Sequence, residues 1–232
     1  MVTKKRPWIV TEHSPIKKLE DNLWVVEGMV PGAPIYRRMS IIKMADGSLL
    51  FYHAIPLTDA EIAQVRAWGR PSYLVVPHDQ HCIDAESFRE KLGLKVFGPK
   101  SCEAKLRARL ELGGTLEDFP NDATVTVEAV PGNKFGEAMV KVKSGPRLNL
   151  LFADVIQNNP PETALLFRIL GFAGGPKVVP AYRMLFLKDR SAVRAYFERC
   201  AALPGLARLI PFHGTIVEKD VSDALRSVAA RL

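Results

Sequence analysis

The sequence predicts an α/β protein in which two β-sheets pack together with helices outside. Short apolar strand patterns, bounded by turn residues, recur along most of the chain. Segments with helix-capping signals lie between some of them. A strand-rich block followed by helix–strand units occurs twice over, which suits two sheets each covered on one face. At 232 residues the chain can bury a substantial core, and it is read as one domain, 1–232, with 1–20 as an N-terminal extension or sheet edge. Apolar residues at 47% and charged residues at 25% exclude wholesale disorder.

The elements follow in order. "LWVVEG" is a short strand, and "MSIIKMADGSLLFYHAI" a hairpin whose Asp46-Gly47 turn tolerates positive φ. "LTDAEIAQVRAWG" opens on the capping-box pair Thr58 and Glu61 and stops at Gly69, so it is a helix. "SYLVVP" lacks polar alternation and reads as a strand buried on both faces. A helix over 84–92, the strand "KVFGP" and a helix over "SCEAKLRARLEL" complete the first block. "ATVTVEAVPG", "AMVKVKS" and "RLNLLFAD" are closely spaced strands of an antiparallel meander. Beyond them come an apolar helix over 162–172, the breaker "GGPKVVP", the helix "DRSAVRAYFERCAAL", the strand "ARLIPFHG" and a closing helix "VSDALRSVAARL".

Composition narrows the partners. The net charge is +7, yet only Lys4-Lys5-Arg6 and Lys17-Lys18 cluster, and no basic stripe interleaves with aromatics, so nucleic acid is not an expected partner. Cys82, Cys102 and Cys200 are odd in number and form no CxxC pair, which fits a reducing, cytoplasmic location. No apolar run follows the basic N-terminus, and the longest one, "ALLFRILGFAGG", is too short to span a bilayer and contains Arg168. No membrane partner is expected.

Chemistry gathers at strand ends. "LVVPHDQHCID", "LNLLFADVI" and "RLIPFHG" each deliver ligand-type residues at the C-terminal end of an apolar strand, and "VEAVPGNKFG" ends a fourth strand in a Pro-Gly turn. Strand ends meet at one rim of a sheet, where residues distant in sequence can share one ion.

The order of these pieces resembles the metallo-β-lactamase fold superfamily, from about Leu23 to the C-terminus, and more narrowly a branch with altered metal motifs. The resemblance implies an αββα sandwich. The superfamily's HxHxDH motif falls on "PHDQHCID", its Pro-Gly-His turn on "PGNKFG", its bridging Asp on "LNLLFADVI" and its late strand-end His on "LIPFHG". His78 then stands for the first histidine and His81 for the second with one residue inserted. Asp84 falls on the last, Ile83 takes the place of the motif's Asp, and Asn133 replaces histidine. Asp154 and His213 match directly.

What the resemblance implies is a reduced, mononuclear site. His78, His81, Asp154 and His213 would hold one divalent metal, Zn²⁺ or alternatively Mn²⁺ or Fe. Asp79 or Asp84 would accept the proton of the attacking water. Asn133, Arg168 and Arg183 would contact a small-molecule substrate with an anionic group. Putting histidine back at Asn133 would then strengthen zinc binding. The alternative is a metal-free, non-catalytic member of the fold that serves as a binding module. Plainer roles stand beside these: Asp84 as a helix cap, Cys82 as a small buried residue, Asn133 as a turn residue. The helix over 162–172 is a core helix, a lid, or a face for a homo-oligomer.

Overall fold

A computed structural model describes residues 6–33, 35–160, 168–169 and 171–232. The helix expected over 162–172 falls for the most part outside them.

Seven strands form one mixed sheet in simple chain order: β1 (Lys17–Glu20), β2 (Leu23–Met29), β3 (Tyr36–Lys43), β4 (Ser48–Tyr52), β5 (Arg70–Val75), β6 (Lys95–Gly98) and β7 (Gly114–Thr115). The first four pair antiparallel, and β4 to β7 run parallel through helical crossovers. The hairpin turn behaves as its sequence requires, with Gly47 at φ +79°. β1 lies at the sheet edge. The second sheet holds β8 (Val125–Ala129), β9 (Ala138–Ser144), β10 (Arg147–Phe152) and β11 (Leu206–Pro211), in the order β11-β10-β9-β8. Only β10 and β11 pair parallel in it.

Side-chain alternation explains the layers. Along β4, Leu50 and Tyr52 join one apolar cluster while Leu49 and Phe51 join another, and along β10 Leu151 and Leu150 divide the same way. One cluster, with Leu23, Val75 and Phe97 against Val127, Val140 and Ile210, is the seam between the sheets. The other packs their outer faces against helices. On the larger sheet these are α1 (Asp59–Trp68) and α2 (Ala85–Leu92), represented there by Val65 and Phe88. On the smaller sheet they are α5 (Arg190–Ala201) and α6 (Val221–Ala230), represented by Phe197 and Leu225. The result is the αββα sandwich.

Local signals placed several boundaries well. Thr58 and Glu61 form the full capping box of α1, and Asp189 caps α5 by accepting from the Ala192 amide. Two expectations need correction. The helix over "SCEAKLRARLEL" reduces to a 3₁₀ turn and the short α3 (Glu103–Arg107), after which the Arg107 guanidinium bonds the Leu112 carbonyl and the chain enters β7. The segment treated as a breaker, "GGPKVVP", leads into the unanticipated α4 (Pro180–Leu185), because proline at a first helical position starts a helix rather than ending one.

Candidate metal centre

Asp154 follows β10, His213 follows β11, and His78 and His81 lie in the loop after β5, so both sheets feed one rim. Three imidazoles converge on the one carboxylate. Asp154 Oδ2 lies 3.2 Å from His78 Nε2 and 2.9 Å from His81 Nε2, and Oδ1 lies 3.4 Å from His213 Nε2.

Two buried charged residues hold the loops that carry these groups. Glu137, at the entry to β9, accepts hydrogen bonds from the amides of Ala153 and Val155, on either side of Asp154, and from the Tyr182 hydroxyl at 2.7 Å. Arg38 of β3 donates to the carbonyls of Pro211 and Gly214, bracketing His213. Gly214 has φ +91°, and an added Cβ would meet the Asn158 carbonyl oxygen at 2.1 Å, so only glycine allows this close approach.

The titration behaviour follows from burial against partners. Burial opposes the charge on Asp154, yet His81, His213 and His78 together hold it well below the usual carboxylate range. The two loop histidines share Oδ2 but shift oppositely. Burial pushes His81 down to about 4 despite the pull of Asp154. Burial also works against His78, but its hydrogen bond to Asp154 and the charges of Asp154, Glu137 and Asp79 leave it raised. Glu137 is pushed up to about 7, chiefly by burial and also by Asp154.

The donor set fits a metal ion. Ligand atoms of His78, His81 and Asp154 all lie within 4.8 Å of one another. Donors sharing a tetrahedral zinc at about 2.0–2.1 Å sit roughly 3.3 Å apart, close to the separations from Asp154. His213 adds an independent argument. Its Nδ1 lies 2.7 Å from the Tyr36 carbonyl, which can only accept, so Nδ1 carries the proton. Nε2 then turns a lone pair toward the carboxylate oxygen Oδ1, an arrangement that calls for a cation, either a proton or a metal ion. His78 is less prepared. Its Nδ1 accepts from the Gln80 amide at 3.3 Å, so ligation through Nε2 requires a change of tautomer.

The remaining expected residues lie elsewhere or are already engaged. Asp79 turns to Lys105, at 3.2 Å, and to the Cys102 thiol. Asp84 is buried in ion pairs with Arg37 at 2.7 Å and Arg6 at 3.5 Å, and it makes no capping bond to α2. Both carboxylates are thus paired with cations rather than standing free as bases. The Asn133 amide donates to the Tyr182 hydroxyl at 2.5 Å and accepts from the Phe135 amide at 2.8 Å, so its polar atoms are committed to structure rather than to a substrate. Arg183 bonds the Arg231 carbonyl at the end of α6, and Arg168 is exposed, its carbonyl accepting from Gly171. Neither joins the imidazoles.

Sequence reasoning missed Arg37, Arg38 and Glu137. Their signal is present in retrospect: two adjacent arginines open an apolar strand in "YRRMSII", and a lone glutamate opens another in "FGEAMV". Charges in such positions are buried only when partnered.

No protein-family model matches the sequence. No curated protein matches it either. Solved structures do. The chain is similar to DIM-1 metallo-β-lactamase exposed to ceftazidime, with a TM-score of 0.65 and 15% identity over 96% of this chain and 99% of that one. A metallo-β-lactamase from Pontibacter korlensis gives a TM-score of 0.62 at 12% identity, covering 94% and 99%. One from Hirschia baltica gives 0.53 at 16%, covering 93% and 97%. The chain has the metallo-β-lactamase fold. Among the described residues no helix is long and apolar enough to cross a membrane.

Proposed function

We propose that this protein is a metal-dependent hydrolase with a single divalent ion, most simply Zn²⁺, held by His78, His81 and Asp154 and closed from the other side by His213. The observation that carries the reading is the convergence of three imidazoles on one half-buried carboxylate at the rim of a metallo-β-lactamase fold. When bound, the ion supplies Lewis acidity, polarising a substrate oxygen and acidifying water near neutral pH. The chain's own residues do the rest. Glu137 and Arg38 fix the loops bearing Asp154 and His213, the Tyr36 carbonyl sets the tautomer of His213, and Phe135 stacks on the His78 ring at 4.8 Å. The substrate is a small molecule with an ester, thioester, amide or phosphodiester bond.

Metal analysis of protein purified without an affinity tag, followed by zinc titration against a chromogenic chelator, tests the first half. One equivalent per chain is expected, and no uptake by wild-type protein would sink the reading. Hydrolysis of a panel of chromogenic esters, thioesters and phosphodiesters by loaded protein, lost on chelation, tests the second.

A non-catalytic, metal-free role has one observation in its favour. The Nδ1 of His78 accepts from the Gln80 amide, so its Nε2 carries a proton toward Asp154, as it would with no metal between them.

A further inference from the structure

We infer that the cavity beside the imidazoles binds an uncharged, apolar group of single-ring size, and that Ile83 at its mouth selects for it. The cavity measures about 230 Å³, and His81 and His213 form part of its wall. Val30, Ile35, Ile83 and Phe212 make it largely apolar. An apolar cavity of about 150 Å³ takes up benzene, so this one has room for a ring and a short substituent.

The charged residues of the wall do not serve an occupant. Arg37 and Asp84 pair with each other at 2.7 Å, and their side chains are 5% and 2% exposed. Arg37 Nε bonds the Met29 carbonyl, Nη1 bonds the Ala54 carbonyl as well as Asp84, and Nη2 is closed off from solvent. The second Asp84 oxygen lies 3.5 Å from Arg6. His53 stacks on Phe212 at 3.7 Å and keeps both ring nitrogens closed off, so it offers no reachable polar atom. Gln80, exposed beside the cavity, is a neutral amide. A charged group entering here would give up water and find no opposite charge in exchange.

Ile83 carries the selection. It stands at the place of the motif's Asp, and it is 48% exposed. It continues the apolar wall out to the solvent. Contiguous apolar surface of this kind, rimmed by polar groups, marks a ligand groove. The position of the groove links it to chemistry. His81 and His213 reach Asp154 at 2.9 and 3.4 Å, so a group seated here lies next to the proposed ion. As a statement about the substrate, this rests on the hydrolase reading: the bond to be cut carries an uncharged aryl or branched alkyl group.

Binding does not depend on that reading, so it is measured first, on full-length protein in chelator. Benzyl alcohol, benzoate and benzylamine present one ring with a neutral, an anionic and a cationic head. Followed by backbone amide shifts, benzyl alcohol should saturate with shifts centred on Ala54 and Ile83. It should bind at least tenfold more tightly than either ion. Equal or tighter binding of benzoate or benzylamine, or shifts centred elsewhere, overturns the assignment. Ile83→Glu should weaken benzyl alcohol at least fivefold and strengthen benzylamine, while Ile83→Leu stays within twofold of wild type. Unchanged affinities in Ile83→Glu overturn the role of Ile83. The comparison of the three probes needs no variant, so it decides the matter even if Ile83→Glu fails to fold. Zinc-loaded protein then separates the two readings. It should cleave para-nitrophenyl benzoate with a kcat/KM at least tenfold above that for the same ester bearing a ring carboxylate. Benzyl alcohol binding without zinc uptake sinks the hydrolase and leaves this site standing. Zinc-dependent ester cleavage with no preference for the neutral ring sinks this inference and leaves the hydrolase.

Discussion

The loop after β5 and the turn after β8 occupy comparable places, each at the end of a strand facing the same rim, but they have followed opposite courses. The first sends His78 and His81 onto Asp154. The second sends Asn133 into two hydrogen bonds with Tyr182 and Phe135. The first loop aims its imidazoles at Asp154, while the second uses its polar side chain to fasten α4 to the turn. A buried position that no longer holds a metal still has to satisfy whatever polar group it carries. On the proposed reading, the first loop belongs to the metal position and the second to its scaffold.

The sharpest way to break this contrast is at Asp154, where the imidazoles meet. Asp154→Asn preserves shape but replaces an anionic donor with a poor one. Zinc affinity is expected to fall at least about a hundredfold, roughly 2.8 kcal/mol. Chelator competition at pH 7.5 measures it. A loss under threefold would mean that the imidazoles bind metal without the carboxylate, or that the metal sits elsewhere.

Glu137 sharpens the contrast from beneath, because it joins the two regions: it bonds the amides beside Asp154 and, through Tyr182, reaches Asn133. Its folded pKa, about 7, lies above its ordinary 4.5, so the acid is fully accommodated below pH 4.5 and stability is lost as pH rises from there to about 7. The neighbours that share this balance are His78, Asp154 and Tyr182. Glu137→Gln has no such proton to lose. Its stability relative to wild type should improve between pH 4.5 and pH 8 by on the order of 3 kcal/mol. Denaturant unfolding at both pH values, in chelator so that metal does not intervene, tests it. A pH-independent difference would show that Glu137 is ionised at little cost.

How far the sequence was legible depended on the range of the interaction. The Asp46-Gly47 turn, the Thr58–Glu61 box and the strand-end positions of Asp154 and His213 rest on neighbours a few residues apart, and a linear reading finds them. Arg37 finds Asp84 only through the pairing of distant segments, and Glu137 finds Tyr182 the same way. Asp84 shows the consequence: its place before α2 suggested a cap, but a buried guanidinium 2.7 Å away is a stronger partner than a free amide at the helix end. The fate of Asn133 was hidden for the same reason, since its partner Tyr182 sits on a helix that the prolines concealed.

Asn133→His tests the second region directly. From the sequence alone the change would complete a ligand set and strengthen zinc binding. With Asn133 bonded to Tyr182 and Phe135, an imidazole instead breaks at least one of two buried hydrogen bonds. The expected outcome is a loss of about 1–3 kcal/mol in stability with zinc affinity unchanged within threefold. Calorimetric titration alongside unfolding gives both numbers, and a tenfold gain in affinity would show that the turn still faces the ion.

The smallest effect belongs to Arg183, expected from its sequence to meet the substrate. Its guanidinium instead bonds the Arg231 carbonyl at the surface end of α6. It lines a depression with Lys177, Pro180 and Leu232, apart from the cavity that His53, His81 and His213 share. Arg183 is half-buried and this single hydrogen bond is near the surface, so losing it costs about 1 kcal/mol at most. Arg183→Ala should therefore leave zinc affinity within threefold of wild type, while Arg37→Lys, which breaks buried bonds to the Met29 and Ala54 carbonyls, should lose about 1–3 kcal/mol of stability. Chelator competition and denaturant unfolding of the two arginine variants side by side separate a buried, partnered guanidinium from one near the surface. A tenfold loss of zinc affinity in Arg183→Ala would show that its guanidinium reaches the imidazoles after all, and raising the salt concentration should abolish that loss if only the long-range field of the protein carried it.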